Sequence, residues 1–354
     1  MNPTDHGRRL SLDAMRGLAA LAVVLFHTGW LCGVSLFPEG YLAVDFFFAL
    51  SGYVIAGAYR SRLGSGLTVT RFAELRLVRL YPLFALGIGL GIAKSLVQLA
   101  LVHNRSLGGA EFAASAICNM MMLPTPYTSA ALFPLNPPAW SLFMEISVNL
   151  LYACGLYRLG RRGLVPLVIL SGGCLVAVVF HNAGVTGGVD WADLGSGAAR
   201  TAFSFSIGLL ISDLTREERR RRGWLACLPP LTLIAILAAP LARLAGGLTD
   251  LIAIFVAMPL LVWTGSILEP PPLLRRTAAF LGDISYPLYA VHFPLLVGAW
   301  VVLRQHLDAT AFAIGFAGLL VPAAWLLARF VDKPVSDRLS NLLRLRRSTR
   351  LQSR

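Results

Sequence analysis

Charge is what this 354-residue chain has least of: Asp, Glu, Lys and Arg make up 14% of it, against roughly 25% in soluble domains. No polar stretch is long enough to fold as a water-soluble domain beside the apolar ones. Cysteine is sparse as well. Cys32, Cys118, Cys154, Cys174 and Cys227 show no C-x-x-C or metal-ligand spacing, so they read as small apolar packing residues rather than a disulfide or metal framework. The sequence lacks a phosphate-binding G-x-x-x-x-G-K-[ST] loop, an H-E-x-x-H zinc motif, a G-x-S-x-G nucleophile elbow and a dinucleotide fingerprint. No metal and no permanently bound cofactor is implied. No cleavable leader is expected either. The first apolar run contains Asp13, Arg16 and His27 and has no small-x-small cleavage site, which predicts an uncleaved first helix.

What is present is lipid-soluble chain. Hydrophobic residues make up 56% and mean hydropathy is +0.68. Apolar runs long enough to be membrane helices fall at 11–31, 42–60, 77–101, 139–158, 164–181, 197–214, 224–243, 248–268, 283–303 and 309–330. A shorter run, 111–123, leads into Pro124, Pro126, Pro134, Pro137 and Pro138. The net charge of +13 is not spread as in a nucleic-acid binder. It sits in clusters at 8–9, 60–79, 158–162, 216–222, 275–276 and 329–354 that hold 25 of the 31 Lys and Arg. All six clusters reach the cytoplasmic side if the N-terminus is inside and 111–123 does not cross, as the positive-inside rule requires. The expected fold is therefore an all-α polytopic membrane protein of about ten crossings with a short re-entrant segment and both termini cytoplasmic. Residues 1–340 form a single transmembrane domain and 341–354 a basic cytoplasmic tail.

Ionisable side chains at bilayer depth cost several kcal/mol and mark function by default. Arg16 and His27 lie eleven residues apart on the opening span, close to three turns and about 16 Å along the axis. Arg16 alone would read as a snorkelling cation and His27 alone as a core histidine. Together on one face they make a candidate site, with the cation toward the cytoplasm. Trp140 stands where an interfacial aromatic belongs. It opens Trp140-Ser141-Leu142-Phe143-Met144-Glu145, and Glu145 either caps its helix or orients an outer-half imidazole. Arg76 and Arg79 share a helix face before Tyr81-Pro82. They serve as cytoplasmic anchors or as a clamp for a phosphate-bearing ligand. Asp45 adds an outer carboxylate, Ser51-Gly52 a close helix approach, and Ser285, Tyr286, Tyr289 and His292 a polar stripe on a late span.

These pieces, in this order, resemble the membrane-bound acyltransferase family 3, whose members modify bacterial surface glycans. The matching motifs are Leu12-Asp13-Ala14-Met15-Arg16-Gly17 with His27, Val44-Asp45-Phe46-Phe47, Leu50-Ser51-Gly52-Tyr53, Arg76-x-x-Arg79 with Tyr81-Pro82, Trp140-Ser141-Leu142 with Glu145, and Ile284-Ser285-Tyr286-Pro287-Leu288-Tyr289 with His292. Tyr53 stands where Phe is common, and Asp332-Lys333-Pro334 where Glu is usual. The resemblance implies a ten-helix bundle in the bacterial inner membrane and acyl-coenzyme A, commonly acetyl-coenzyme A, as co-substrate. The acceptor it implies is a hydroxyl of an extracytoplasmic glycan or lipid-linked sugar. It makes His27 the catalytic imidazole, acting as general base or acyl carrier and oriented by Glu145 or Asp45. Arg16, Arg76 and Arg79 become donor-handling residues, with Trp140, Ser141, Ser51, Tyr286 and His292 in support. A transporter or flippase for an anionic lipid or metabolite remains the competing reading, since intramembrane Arg, His and Glu would serve it equally.

Overall fold

The computed structural model describes residues 8–102, 107–126, 130–182, 184–185, 187–216, 218, 221–241 and 247–352. Arg105, Arg243, part of the 216–222 cluster and the side chains of the tail from 344 onward lie outside the described residues. Long apolar stretches have no water to satisfy their backbone, so they close their own hydrogen bonds as helices. The main helices are α1 (Leu10–Cys32), α2 (Ala43–Gly64), α3 (Val69–Val102), α4 (Gly109–Met120), α5 (Ala139–Cys154), α6 (Arg161–Asn182) and α7 (Leu194–Leu214). They continue with α8 (Leu228–Ala238), α9 (Gly247–Ile267, with a π turn at Ala253–Ala257), α10 (Arg275–Leu303), α11 (Ala309–Leu327) and α12 (Lys333–Gln352). Among the described residues, eight helical segments are long and apolar enough to cross a membrane. Two shorter apolar helices, Ala139–Cys154 and Trp224–Ala238, occupy the places of the expected spans at 139–158 and 224–243.

The basic clusters gather at one end of the bundle. Arg8 bonds Asp283 at 2.7 Å and Arg9 reaches the carbonyl of Ser266. Arg60 and Arg161 converge on Asp213 at 2.7 and 2.9 Å, and Arg221–Arg222 pair in parallel with Leu268–Glu269. Ser336 of α12 donates to the Val78 carbonyl of α3 at 3.2 Å. Residues 8 and 336 therefore lie at the same end. The opposite end is tied by other loops: Trp191 Nε1 donates to Thr125 O at 3.0 Å, Ala131 bridges Asp190, and Glu39 N donates to Leu237 O at 3.2 Å. Both α3, leaving the basic end, and α5, starting beside Gly188 and Gly197, meet this second end. Helix α4 lies between them. Its 12 residues span about 18 Å, short of the roughly 30 Å hydrocarbon core, so 111–123 forms a short helix on the side where it begins.

Prolines inside helices open backbone carbonyls, and at two of them another helix or loop supplies the missing donor. Pro82 has no N–H to offer Val78 O, and Ser336 takes that carbonyl. Pro294 likewise frees Ala290 O, which accepts from Asn136 Nδ2 at 2.9 Å. Helices α2 and α7 cross on two glycines. A Cβ on Gly52 would strike the Phe205 carbonyl, and one on Gly208 the Ala49 carbonyl; the close approach expected at Ser51-Gly52 is made by α7. Gly57, one turn further along α2, has its nearest neighbour, Ser212 Oγ, at 3.7 Å from an added Cβ. Gly208→Ala is accordingly expected to cost about 1–3 kcal/mol through overpacking and Gly57→Ala nothing measurable, read as thermal unfolding of the purified protein in detergent.

Candidate active site

Five helices supply the expected residues. Arg16 and His27 come from α1, Asp45 and Ser51 from α2, Arg76 and Arg79 from α3, Trp140, Ser141 and Glu145 from α5, and Tyr286 and His292 from α10. Most of them border one cavity of about 150 Å³. Its wall carries three cations, Arg16, Arg76 and Arg79, with Glu145, Ser51, Ser141, Ser285, Tyr286 and Tyr289. Phe47, Phe48, Val44 and Leu142 supply the apolar part.

Two of the three cations are held by the protein. Arg16 donates from Nε to Ser285 Oγ and from Nη2 to Gly282 O, both at 2.8 Å, and meets Asp13 at 3.1 Å. The close contact is possible because α1 and α10 pack tightly there: a Cβ on Gly17 would strike the Leu281 backbone. Arg76 donates to Glu145 Oε1 at 2.9 Å, and Ser51 Oγ donates to the same oxygen at 2.9 Å. Arg76 Nε is buried without a hydrogen-bond partner. Arg79, one turn along, is exposed and makes no ion pair among the described residues. The two guanidiniums expected to act as an equal pair therefore differ. One is committed to a carboxylate, and the other makes no hydrogen-bonded ion pair among the described residues. At the far side of the cavity the Ser141 and Tyr289 hydroxyls are in close contact, and Ser141 Oγ also donates to Pro138 O at 2.9 Å. Tyr286 OH donates to the Leu80 carbonyl.

Three expectations need correction. Neither Asp45 nor Glu145 is hydrogen-bonded to His27. Asp45 is completely buried against Arg200 of α7, with bonds of 2.6 and 3.2 Å, because a guanidinium buried at that level demands a carboxylate. Glu145 is turned toward Arg76 for the same reason. His27 does not border the cavity that Arg16 borders. Both do face α10, as their spacing requires, but at the level of His27 that helix presents His292, whose Nε2 lies 3.1 Å from His27 Nδ1. The Tyr289 ring, on the cavity wall, is 5.9 Å from the ring of His292. A run of side chains thus links the cavity to His27. Finally, Trp140 is buried rather than interfacial. Gly188 and Gly197 leave a slot for its ring, and Arg200 lies over it at 5.9 Å.

The Arg200 partnership was missed in the sequence, though a signal existed: a lone Arg within an apolar span needs a partner, and Asp45 was the carboxylate without one. The His27–His292 contact had no such signal. Among the described residues, no group of three His, Cys, Asp or Glu converges as a metal site.

A cavity walled by three arginines, several hydroxyls and one paired carboxylate, inside a bundle of long apolar helices, defines a multi-pass membrane protein with a polar internal site. The chain belongs to the acyltransferase domain family, whose model matches residues 9–329, and it is an acyltransferase; the transporter reading is set aside. It is 37% identical over 182 residues to "Protein 2 in picA locus" of Rhizobium radiobacter, covering 48% of this chain and 92% of that protein. It is 24% identical over 357 residues to the peptidoglycan O-acetyltransferase OatA of Listeria monocytogenes, covering 92% of this chain and 55% of that protein. The chain thus spans about half the length of the Listeria relative. No solved structure matches.

The two cavity arginines should separate in mutation. Arg76→Ala strands the Glu145 carboxylate inside the bundle, and unpairing a buried ion costs about 3–5 kcal/mol, visible as a lowered unfolding temperature. Arg79→Ala should leave that temperature unchanged. Asp45→Ala, which strands Arg200, should destabilise by a similar amount to Arg76→Ala.

Proposed function

We propose that this membrane acyltransferase moves an acyl group, most simply acetyl, from cytoplasmic acyl-coenzyme A to a hydroxyl on an extracytoplasmic glycan or lipid-linked sugar, in the bacterial inner membrane. The observation that carries this reading is the convergence of Arg16, Arg76 and Arg79 on one cavity. A donor bearing several phosphates and a thioester calls for such a cluster. The gathering of the basic clusters at one end of the bundle supports a cytoplasmic assignment for that end and for both termini, with ten crossings. Arg16 lies about 9 Å along α1 from that end and His27 about 25 Å, so donor and acceptor approach from opposite sides. The name of the Listeria relative, a peptidoglycan O-acetyltransferase, supports a glycan acceptor. Residues 1–340 work as one transmembrane unit, with 341–354 as a basic tail on the donor side.

In the reaction, Arg79 and Arg16 hold the donor's phosphates, and Arg76, fixed by Glu145 and Ser51, lines the passage. Ser141 and Tyr289 stand at the end of the cavity nearest His27; with the Ser141 hydrogen committed to Pro138 O, it is the Tyr289 hydroxyl that turns from Ser141 Oγ to donate to the thioester carbonyl as negative charge develops on it. The acceptor oxygen attacks the thioester carbon while His27 takes the proton from that hydroxyl. The carbon–sulfur bond breaks, and the thiolate leaves and recovers the proton from the imidazolium. The products are an acyl ester and free coenzyme A.

Purified protein in lipid nanodiscs, given acetyl-coenzyme A and a surface-glycan acceptor, should release free thiol in step with ester formed. His27→Ala should lower kcat by roughly 10²–10⁴-fold, the range for a general base, while the protein still inserts and unfolds normally. Arg79→Ala should raise the donor KM without lowering kcat. Retained transfer in His27→Ala would remove the assignment, and a stoichiometric burst of coenzyme A without acceptor would replace direct transfer by an acyl-enzyme.

A further inference from the structure

We infer that His292 is a positioning residue that fixes the tautomer of His27, leaving His27 Nε2 as the atom that receives the acceptor's proton. The inference rests on His27 being the general base and names how the fold prepares it.

The argument follows from counting hydrogens. A neutral imidazole has one N–H, and its other nitrogen can only accept. His292 Nδ1 lies 2.9 Å from Tyr289 O and 3.1 Å from Leu288 O, its own helix carbonyls three and four residues back. Carbonyl oxygens only accept, so Nδ1 of His292 carries the hydrogen and its Nε2 presents a lone pair. That lone pair is 3.1 Å from His27 Nδ1. His27 Nδ1 also lies 3.0 Å from the carbonyl of Val23. Two acceptors therefore flank His27 Nδ1. A bare nitrogen there would set lone pair against lone pair twice, so Nδ1 is the protonated nitrogen of His27. Its Nε2 carries the free lone pair and has no hydrogen-bond partner among the described residues.

The surroundings favour one ring orientation. Phe26 and Phe293 pack against His27 edge-on, at 5.2 and 5.3 Å between ring centroids. His292 is completely buried whereas the His27 residue keeps partial exposure, so His27 is the less enclosed of the two. When Nε2 takes the acceptor's proton, the His27 ring becomes a cation. Its Nδ1–H still points at His292 Nε2 and Val23 O, two acceptors that stabilise that charge. When Nε2 hands the proton to the departing thiolate, the same tautomer is restored without rotation of the ring. His292 thus acts as the orienting third member of a base system with a neutral acceptor in place of a carboxylate, in keeping with the commitment of Asp45 and Glu145 to arginines.

The test uses full-length protein in nanodiscs. His292→Leu removes the acceptor and should lower kcat by about 10–100-fold, the usual loss when a partner that orients a functional histidine is removed, with the donor KM unchanged. His292→Gln places an amide oxygen where Nε2 stood, keeps the acceptor, and should recover most of that loss. A glutamine variant as slow as the leucine variant, with both folded by thermal unfolding, would overturn a positioning role in favour of proton relay through His292. A leucine variant as fast as wild type would overturn any role. Nitrogen-15 NMR of ring-labelled histidine, with His27→Asn for assignment, should show His27 protonated on Nδ1 and bare on Nε2. The opposite tautomer would overturn the hydrogen-bond assignment even if His27→Ala proves inactive. Conversely, an active His27→Ala protein would defeat the general-base reading alone, because the spectrum reports the hydrogen bond whatever the ring does in catalysis.

Discussion

A guanidinium inside an apolar bundle cannot be left bare, and the arrangement of this protein follows from how four of them are satisfied. Arg16 is the central case. It draws on Asp13 in its own helix and on Gly282 O and Ser285 Oγ of α10, so the charge that opens the cavity also clamps α1 to α10. Arg8 extends the same seam through Asp13 and Asp283. Arg76 ties α3 to α5 and α2 by way of Glu145 and Ser51. Arg200 ties α7 to α2 through Asp45. In a medium where lipid gives helices no hydrophobic reason to associate, these polar bonds and close glycine crossings decide which helix lies against which.

The same logic divides structural charge from charge available to a ligand. Asp45 and Arg200 neutralise each other in a site with almost no exposure, which leaves nothing over for chemistry. Arg76 is half-way: its Nη2 is committed and its Nε is not. Arg79 is open. The gradient from closed pair to open cation runs toward the cavity, which is where the proposed anionic donor would find coordination that the protein leaves unfinished. Proline plays a parallel part for the backbone. The carbonyls freed by Pro82 and Pro294 are taken by Ser336 and Asn136, so helices that carry functional residues gain cross-links where their own ladders are interrupted.

Much of this was legible in the sequence. Hydropathy located helices at all ten expected places, and the distribution of Lys and Arg anticipated that the basic loops share one end. The eleven-residue spacing of Arg16 and His27 placed both against a single neighbouring helix, as found. The motif set led to the acyltransferase family across 9–329. The pairings were not legible. Glu145 and Asp45 were expected to serve His27, and both serve arginines instead. His27 was expected to share one site with Arg16 and instead connects to the cavity that Arg16 borders through His292 and Tyr289. Trp140 was expected at the interface and is buried.

The division has a physical cause. Crossing helices, their order, the basic end and the family all follow from local quantities: apolar run length, charge density between runs, and short motifs read along one strand of chain. Each of those is set by residues within a few turns of one another. Which carboxylate meets which arginine, and that one imidazole leans on another 265 positions away, depends on helix rotation and depth in three dimensions. A shift of one residue turns a helix by about 100° and carries a side chain to a different neighbour, so only the packed bundle decided the partners.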